Sequence, residues 1–162
     1  MKTSKSGQTT KSAKPAKAKK TSDGVRTAVQ VAALPWRFTD RLEIMLVSSR
    51  ETGRWIIPKG WPMAGRSSSA AAAIEALEEA GLLGAIDETP FGDFTYAKKR
   101  AGGSSTLCRV EVFALRVVRQ RPHWPEWRQR KTEWFPADEA ARAVSDPGLG
   151  VLIERFIAAQ GG

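Results

Sequence analysis

The 162-residue sequence holds one cysteine, one histidine and one tyrosine, and nowhere the run of about 18 apolar residues that a membrane-spanning helix needs. A single cysteine excludes an internal disulfide, and the surroundings of Cys108, STLCRVEVFAL, read as a strand in which it serves as a small hydrophobe. No histidine lies near it to favour the thiolate. Cys108 and His123 stand far apart in sequence, which argues against a metal site of sulfur and imidazole ligands; no role is read for His123. The N-terminus carries lysines without the apolar stretch of a secretory signal. A soluble, cytoplasmic protein with no membrane insertion is expected.

Residues 1–24 contain seven lysines, one aspartate and almost nothing apolar, so they supply +6 of the formal net charge of +9 and leave +3 to the remainder. Such a segment buries too little surface to offset chain entropy, and a disordered lysine-rich tail is expected, with one compact domain over 25–162. The tail suits non-specific contact with a polyanion, but it has no aromatic residue to stack a base; a simply solvated extension is the competing reading.

Beyond the tail, VRTAVQVAALPW and LEIMLVSS read as two strands joined by the polar turn RFTDR, and RWIIP as a third short extended piece stopped by Pro58. A Gly/Pro loop, KGWPMAGRSS, leads to a helix from about Ser69 to Ala80, with Ser67 to Ser69 as N-cap candidates and Gly81 as its stop. FGDFTYA, TLCRVEVFALRVV and KTEWF alternate like strands, and PADEAARAVSD and GLGVLIERFIAAQ have helical spacing. Strands and helices without regular βαβ alternation predict an α/β (α+β) class, a mixed β-sheet sandwiched between helices.

A more local absence concerns charge. Between Ser67 and Ala97 there is no basic residue, yet Glu75, Glu78, Glu79, Asp87, Glu88 and Asp93 fall there. On a helical wheel Ala70, Ala73, Ile74 and Leu77 form an apolar arc and Glu75, Glu78 and Glu79 share the other side. Their spacing sets like charges together, and their place near the helix C-terminus opposes the macrodipole. A solvated glutamate face is one reading. The other is a site for a hard divalent cation such as Mg²⁺, which takes carboxylate oxygens with water and substrate phosphates.

The loop before this helix makes the pattern specific. Gly60, Glu75, Ala76, Glu78, Glu79, Gly81 and Leu82 fall in register on the signature of the Nudix hydrolases, and the segment resembles that family's box. Two positions depart: Arg66 stands where the family has glutamate, and Ile74 where it has the arginine that holds the glutamates through ion pairs. With both changed together, a repacked helix is expected. LVSSRETGRWIIPKGW before the box and HWPEWRQRKTEWFPADEA after it resemble the diphosphoinositol polyphosphate phosphohydrolase branch, so that the likeness covers roughly residues 26 to 157.

The resemblance implies the Nudix fold and a hydrolase acting on phosphoric anhydrides, with Mg²⁺ or, in its place, Mn²⁺ as cofactor. Glu75 and Glu79, with a backbone carbonyl near Lys59 or Gly60, would be metal ligands, and Glu78 would bind a further metal or position the water. One of Glu75, Glu78 and Glu79 would act as base. The substrate would be a polyphosphorylated small molecule: a diphosphoinositol polyphosphate, a dinucleoside polyphosphate or a triphosphorylated or capped RNA end. Arg50, Arg54 and Lys59, then Lys98, Lys99 and Arg100, then Arg128, Arg130 and Lys131 are the basic clusters expected to bind it; each cluster alone also reads as solvated surface. Trp61, Trp124, Trp127 and Trp134 read as packing under loops or as stacking platforms. The alternative function is a Nudix module that binds a phosphorylated ligand or nucleic acid without turnover.

Overall fold

The computed structural model describes residues 19–20 and 26–161. Most of the expected tail therefore lies outside the described residues; of it, Lys19–Lys20 (β1) pairs antiparallel with Thr27 and Arg26.

The two expected strands are β2 (Arg26–Phe38) and β3 (Leu42–Ser48), antiparallel from Trp36↔Ile44 to Phe38↔Leu42. Then come β4 (Trp55–Ile56), β5 (Lys59–Gly60), helix α1 (Ser68–Ala80), β6 (Leu82–Ile86), β7 (Gly92–Lys99), β8 (Ser105–Gln120), β9 (Thr132–Pro136), α2 (Ala137–Ala143) and α3 (Pro147–Ala159). The sheet runs β4-β3-β2-β8-β6, with β9 on β3, β7 on β8, and β1 and β5 on β2. β2 and β8 pair in parallel from Thr27↔Leu107 to Trp36↔Arg116, and the other strand pairs are antiparallel, so the sheet is mixed as expected.

Alternation along the strands sorts the core into two faces. Ala32, Leu34, Ile44, Leu46, Val110, Val112 and Ala114 point to the side covered by α2 and α3, where Leu149, Leu152, Ile153 and Phe156 close over them. Val31, Ala33, Met45, Val47, Phe113 and Leu115 point to the other side, covered by α1 through Ala71, Ala72, Ala76 and Ala80. Side chains two apart in a strand share a face, so a long strand buried on both faces reads as a nearly continuous apolar run. None of the helices among the described residues is long and apolar enough to cross a membrane.

Beside β1, which falls in the segment expected as a tail, two strands had no counterpart in the sequence reading. β6, LLGAI, follows the Gly81 stop directly and is interrupted by a register shift at Leu83/Gly84, so no clean alternation marks it. β5 is two residues within a Gly/Pro loop, too short to show any period.

Candidate active site

β5 owes its place to β2. Pro35 has no N–H to give a ladder, and the same edge of β2 serves two partners on either side of it: β3 from Trp36 onward, and β5 at Val31↔Gly60 and Ala32↔Lys59. Ala33 N–H donates to the Pro58 carbonyl at 3.0 Å. The backbone of Lys59 and Gly60 is thereby fixed beside α1.

α1 begins where Ser67 Oγ accepts from the Ala70 N–H and ends at Gly81, whose φ of 70° is left-handed and whose N–H donates to the Ala76 and Leu77 carbonyls. Its buried face is Ser69, Ala71, Ala72, Glu75, Ala76, Glu79 and Ala80. This corrects the wheel. The arc of Ala70, Ala73, Ile74 and Leu77 is the half-buried flank, whereas Glu75 and Glu79 are only 1% and 3% exposed. Methyl side chains at 71, 72, 76 and 80 let the helix lie close on the sheet, and the two glutamates between them are carried inward. The solvated-face reading fails for Glu75 and Glu79, while Glu78 is half-buried. Ile74, half-buried on that flank, packs against the α1-side core, and Arg66 is exposed.

Glu75 lies against Gly60 so closely that a Cβ there would come within 2.5 Å of the carboxyl carbon. At the other end of the helix, the segment from Gln120 to Glu126 occupies the carbonyls left over by the last turn. Glu126 N–H donates to the Glu78 carbonyl (3.0 Å), Trp124 Nε1 to Glu79 (3.1 Å), Gln120 Nε2 to Ala80 (2.9 Å) and Arg121 N–H to Gly81 (2.8 Å). These donors also offset the dipole charge beside Glu78 and Glu79. Trp124 is thus a packing and capping residue. Trp127, 38% exposed, has His123 edge-on and the Arg128 guanidinium over its ring.

One open cavity gathers Glu79 with Arg50, Arg54, Lys59, Lys98 and Arg130, together with Ser49, Glu51, Thr52 and Ile56. The β3–β4 turn forms one wall, closed by Ser49 N–H to the Arg54 carbonyl and by Gly53 at a φ of 71°. Arg50 Nη1 donates to Gln129 Oε1 (2.9 Å) and Arg54 Nε to Thr52 Oγ1 (3.2 Å). Arg130 donates through Nε to Glu126 Oε1 (2.8 Å) and through Nη1 to the Ser48 carbonyl (3.1 Å), and its Nη2 stands 3.5 Å from Glu79 Oε2. Lys59 Nζ lies over the Tyr96 ring, and burial lowers its pKa from 10.5, with the nearby Glu79 charge pulling the other way. Tyr96 donates to Gln30 Oε1 at 2.8 Å, and burial pushes its phenol pKa up. Burial likewise raises the Cys108 thiol pKa, with the neighbouring Tyr96 pulling the other way, in keeping with a structural cysteine.

Of the basic residues singled out in the sequence, Lys99, Arg100, Arg128 and Lys131 are outside this cavity's lining; Arg100 Nη1 instead donates to Thr106 Oγ1. The sequence reading missed the Glu79–Arg130 ion pair, since no helical spacing relates residues on separate elements. It also missed Trp124 as the helix cap; Gly81 marked where the helix ends but not what lies on it.

Among the described residues no group of three or more His, Cys, Asp or Glu side chains forms a metal cage by itself. Mg²⁺ does not ask for one: it is ordinarily held by one or two carboxylates, waters and substrate phosphates. Glu75 and Glu79, two buried carboxylates beside a glycine backbone that leaves Glu75 its space, fit that donor set.

The sequence matches the NUDIX domain family over residues 26–156. It is 31% identical over 127 residues to Nudix hydrolase 12, mitochondrial, of Arabidopsis thaliana, spanning 74% of this chain and 61% of that protein. Diphosphoinositol polyphosphate phosphohydrolase 3-beta of Bos taurus is 30% identical over 118 residues, 71% of this chain and 68% of the relative. A crystallised C. elegans Ap4A hydrolase superposes with a TM-score of 0.62 at 21% identity, over 83% of this chain and 98% of that one, a likeness of fold. A mixed sheet between helices, the Gly60–Glu75 and Gly81 positions of the box and a family match over most of the length agree: the chain belongs to the Nudix hydrolase family.

Proposed function

We propose that the protein is a Mg²⁺-dependent pyrophosphohydrolase that cleaves a diphosphate linkage in a polyphosphorylated small molecule, a diphosphoinositol polyphosphate or a dinucleoside polyphosphate. The observation that carries this is the meeting of the buried Glu79 carboxylate with five cationic side chains, Arg50, Arg54, Lys59, Lys98 and Arg130, in one cavity. The family generally uses divalent metal ions, and Glu75, Glu79 and the Gly60 backbone are the groups that would hold one. When bound, Mg²⁺ supplies polarisation of a phosphoryl oxygen and acidifies a water.

The chain's own residues do the rest. Arg50 and Arg54, exposed on the turn, bind and orient the phosphates, with Lys59 and Lys98 as point charges deeper and across the mouth. A glutamate of the box takes the proton of the attacking water. The cavity, about 210 Å³, is smaller than the roughly 300–1,000 Å³ of sites that enclose a drug-sized ligand. It takes the phosphate end of the substrate and leaves the remainder outside, in a cytoplasmic setting where such polyanions occur. The bovine relative, a diphosphoinositol polyphosphate phosphohydrolase by name, supports that substrate class.

Ile74 and Arg66, which depart from the box, favour a second reading in which the same cavity holds a phosphorylated ligand without turnover. Incubation with Mg²⁺ and a panel of inositol pyrophosphates, dinucleoside polyphosphates and nucleoside diphosphate sugars decides between them, with Glu79→Gln as control. Release of phosphate or mononucleotide by the wild type above the control is expected; equality across the panel leaves the binding module.

A further inference from the structure

The helix that carries the site glutamates has no cation of its own, because no basic residue occurs between Ser67 and Ala97. A carboxylate on its buried face needs positive charge or donors from another element, since a buried ion left uncompensated is strongly destabilising. Arg130 comes to Glu79 from the segment that leads into β9. Its main chain is locked to β3 by Ser48 N–H to the Lys131 carbonyl (2.9 Å) and Lys131 N–H to Ser48 Oγ (2.9 Å). Its side chain, 9% exposed, is then held from three directions by Glu126, the Ser48 carbonyl and Glu79.

We propose that Arg130 is a positioning residue: it fixes the Glu79 carboxylate for hydrolysis and is not a ligand of the substrate. The proposal rests on the pyrophosphohydrolase reading above. Three features separate Arg130 from Arg50 and Arg54, which line the same cavity. It faces two carboxylates, whereas the hydrogen bonds of Arg50 and Arg54 go to the neutral Gln129 and Thr52. Its side chain is largely withdrawn from solvent and they are exposed. A phosphate that recruited Arg130 would have to draw it from Glu126 and Glu79 and leave both acids poorer in compensation, whereas Arg50 and Arg54 change only a neutral partner for an anion.

Glu126 completes the device. Its N–H holds the Glu78 carbonyl, its carboxylate holds Arg130 Nε, and two residues earlier Trp124 Nε1 holds the Glu79 carbonyl. Residues 124–130 thus fasten Glu79 both at its backbone and at its carboxylate. A guanidinium, planar and with five N–H donors, can serve such an arrangement where an ammonium cannot keep every contact.

The test compares Arg130→Met and Arg130→Lys with Arg54→Ala on a substrate that the wild type turns over. Arg130→Met is expected to lower kcat by about 10–100-fold, the usual cost of losing an orienting partner, with KM little changed. Arg130→Lys is expected to recover part of kcat at that same KM, and to give the reading alone if Arg130→Met does not fold. Arg54→Ala is expected to raise KM instead. A raised KM with kcat retained in the Arg130 variants overturns the proposal. A readout without substrate accompanies it: urea unfolding of Arg130→Met, Glu79→Gln and the double variant. Non-additive losses, the pair costing less than the two singles summed, support the Arg130–Glu79 link, and additive losses overturn it. If the wild type turns over nothing, the pyrophosphohydrolase reading and the catalytic consequence fall together, while the unfolding cycle still decides whether Arg130 holds Glu79.

Discussion

The carboxylate of Glu75 rests on the Cα of Gly60, in space that any side chain at position 60 would fill. Gly60 is in β5, held against β2 at Val31, and Glu75 is on the buried face of α1, so neither backbone is free to retreat. Gly60→Ala is therefore expected to push the Glu75 carboxylate aside. A displacement on the scale of 1 Å at a reacting group costs on the order of 10²-fold in rate. Assay of kcat, with Mn²⁺ binding by calorimetry, checks this, and a variant with wild-type turnover and metal affinity would falsify the role given to the contact.

The far end of the same helix makes a stability prediction. Gly81 has a φ of 70°, and a Cβ on it would meet the indole of Trp124, 2.6 Å from Cδ2. Gly81→Ala must bear the left-handed conformation, about 1–2 kcal/mol, as well as that collision. Trp124→Phe keeps an aromatic ring but loses the bond to the Glu79 carbonyl, about 1 kcal/mol. Urea denaturation should rank Gly81→Ala below Trp124→Phe and both below the wild type. The reverse ranking would mean that the indole yields easily and does not seat the helix end.

These contacts mark where the sequence was legible. The serines at 67–69, of which Ser67 is the cap, and Gly81 announced the ends of α1 because cap residues answer to local geometry, and long strands such as β2 and β8 announced themselves by their apolar, β-branched runs. The buried side of α1 was misread because hydrophobic size singled out Ile74 and Leu77, while close approach to the sheet selected Ala71, Ala72, Ala76 and Ala80. Spacing brought Glu75 and Glu79 to one face but did not say that the face was inside. The basic clusters were visible as clusters only. Arg50, Arg54, Lys59, Lys98 and Arg130 meet because β3, β5, β7 and the approach to β9 meet, and Lys99, Arg100 and Lys131 fall outside the lining.

Lys59 makes a prediction about pH. Burial is the largest influence on its ammonium and lowers its pKa from the ordinary 10.5. Below the lowered value both native and unfolded chains hold the proton, and the native state bears the cost of burying the charge. Between the lowered value and 10.5 the unfolded chain binds a proton that the native chain has released, so stability rises with pH across that window. Lys59→Met should remove this rise and raise the urea midpoint at neutral pH while weakening phosphate binding, a trade of stability for function. A lower midpoint at pH 7, or an unchanged slope through the window, would show that attraction to Glu79 outweighs the burial of Lys59.

The cavity divides the basic residues by reach, and that division can be measured. Arg50 and Arg54 are exposed lining residues with neutral hydrogen-bond partners, so each should give a phosphate a charge-assisted bond. Loss of such a bond costs about 1.5–3 kcal/mol, and Arg50→Ala or Arg54→Ala should raise KM by roughly 10–100-fold with kcat near wild type. Lys99 and Arg100 are outside the lining, and Arg100 is turned toward Thr106. Their alanine variants should stay within about twofold of the wild-type KM at physiological ionic strength, because both are exposed, outside the lining and screened by salt. Titrating salt separates direct from distant effects, because the Arg54→Ala defect should persist at high salt whereas any Lys99→Ala defect should fade. A Lys99→Ala defect as large and as salt-resistant as that of Arg54→Ala would move the proposed phosphate site from the β3–β4 turn toward the end of β7.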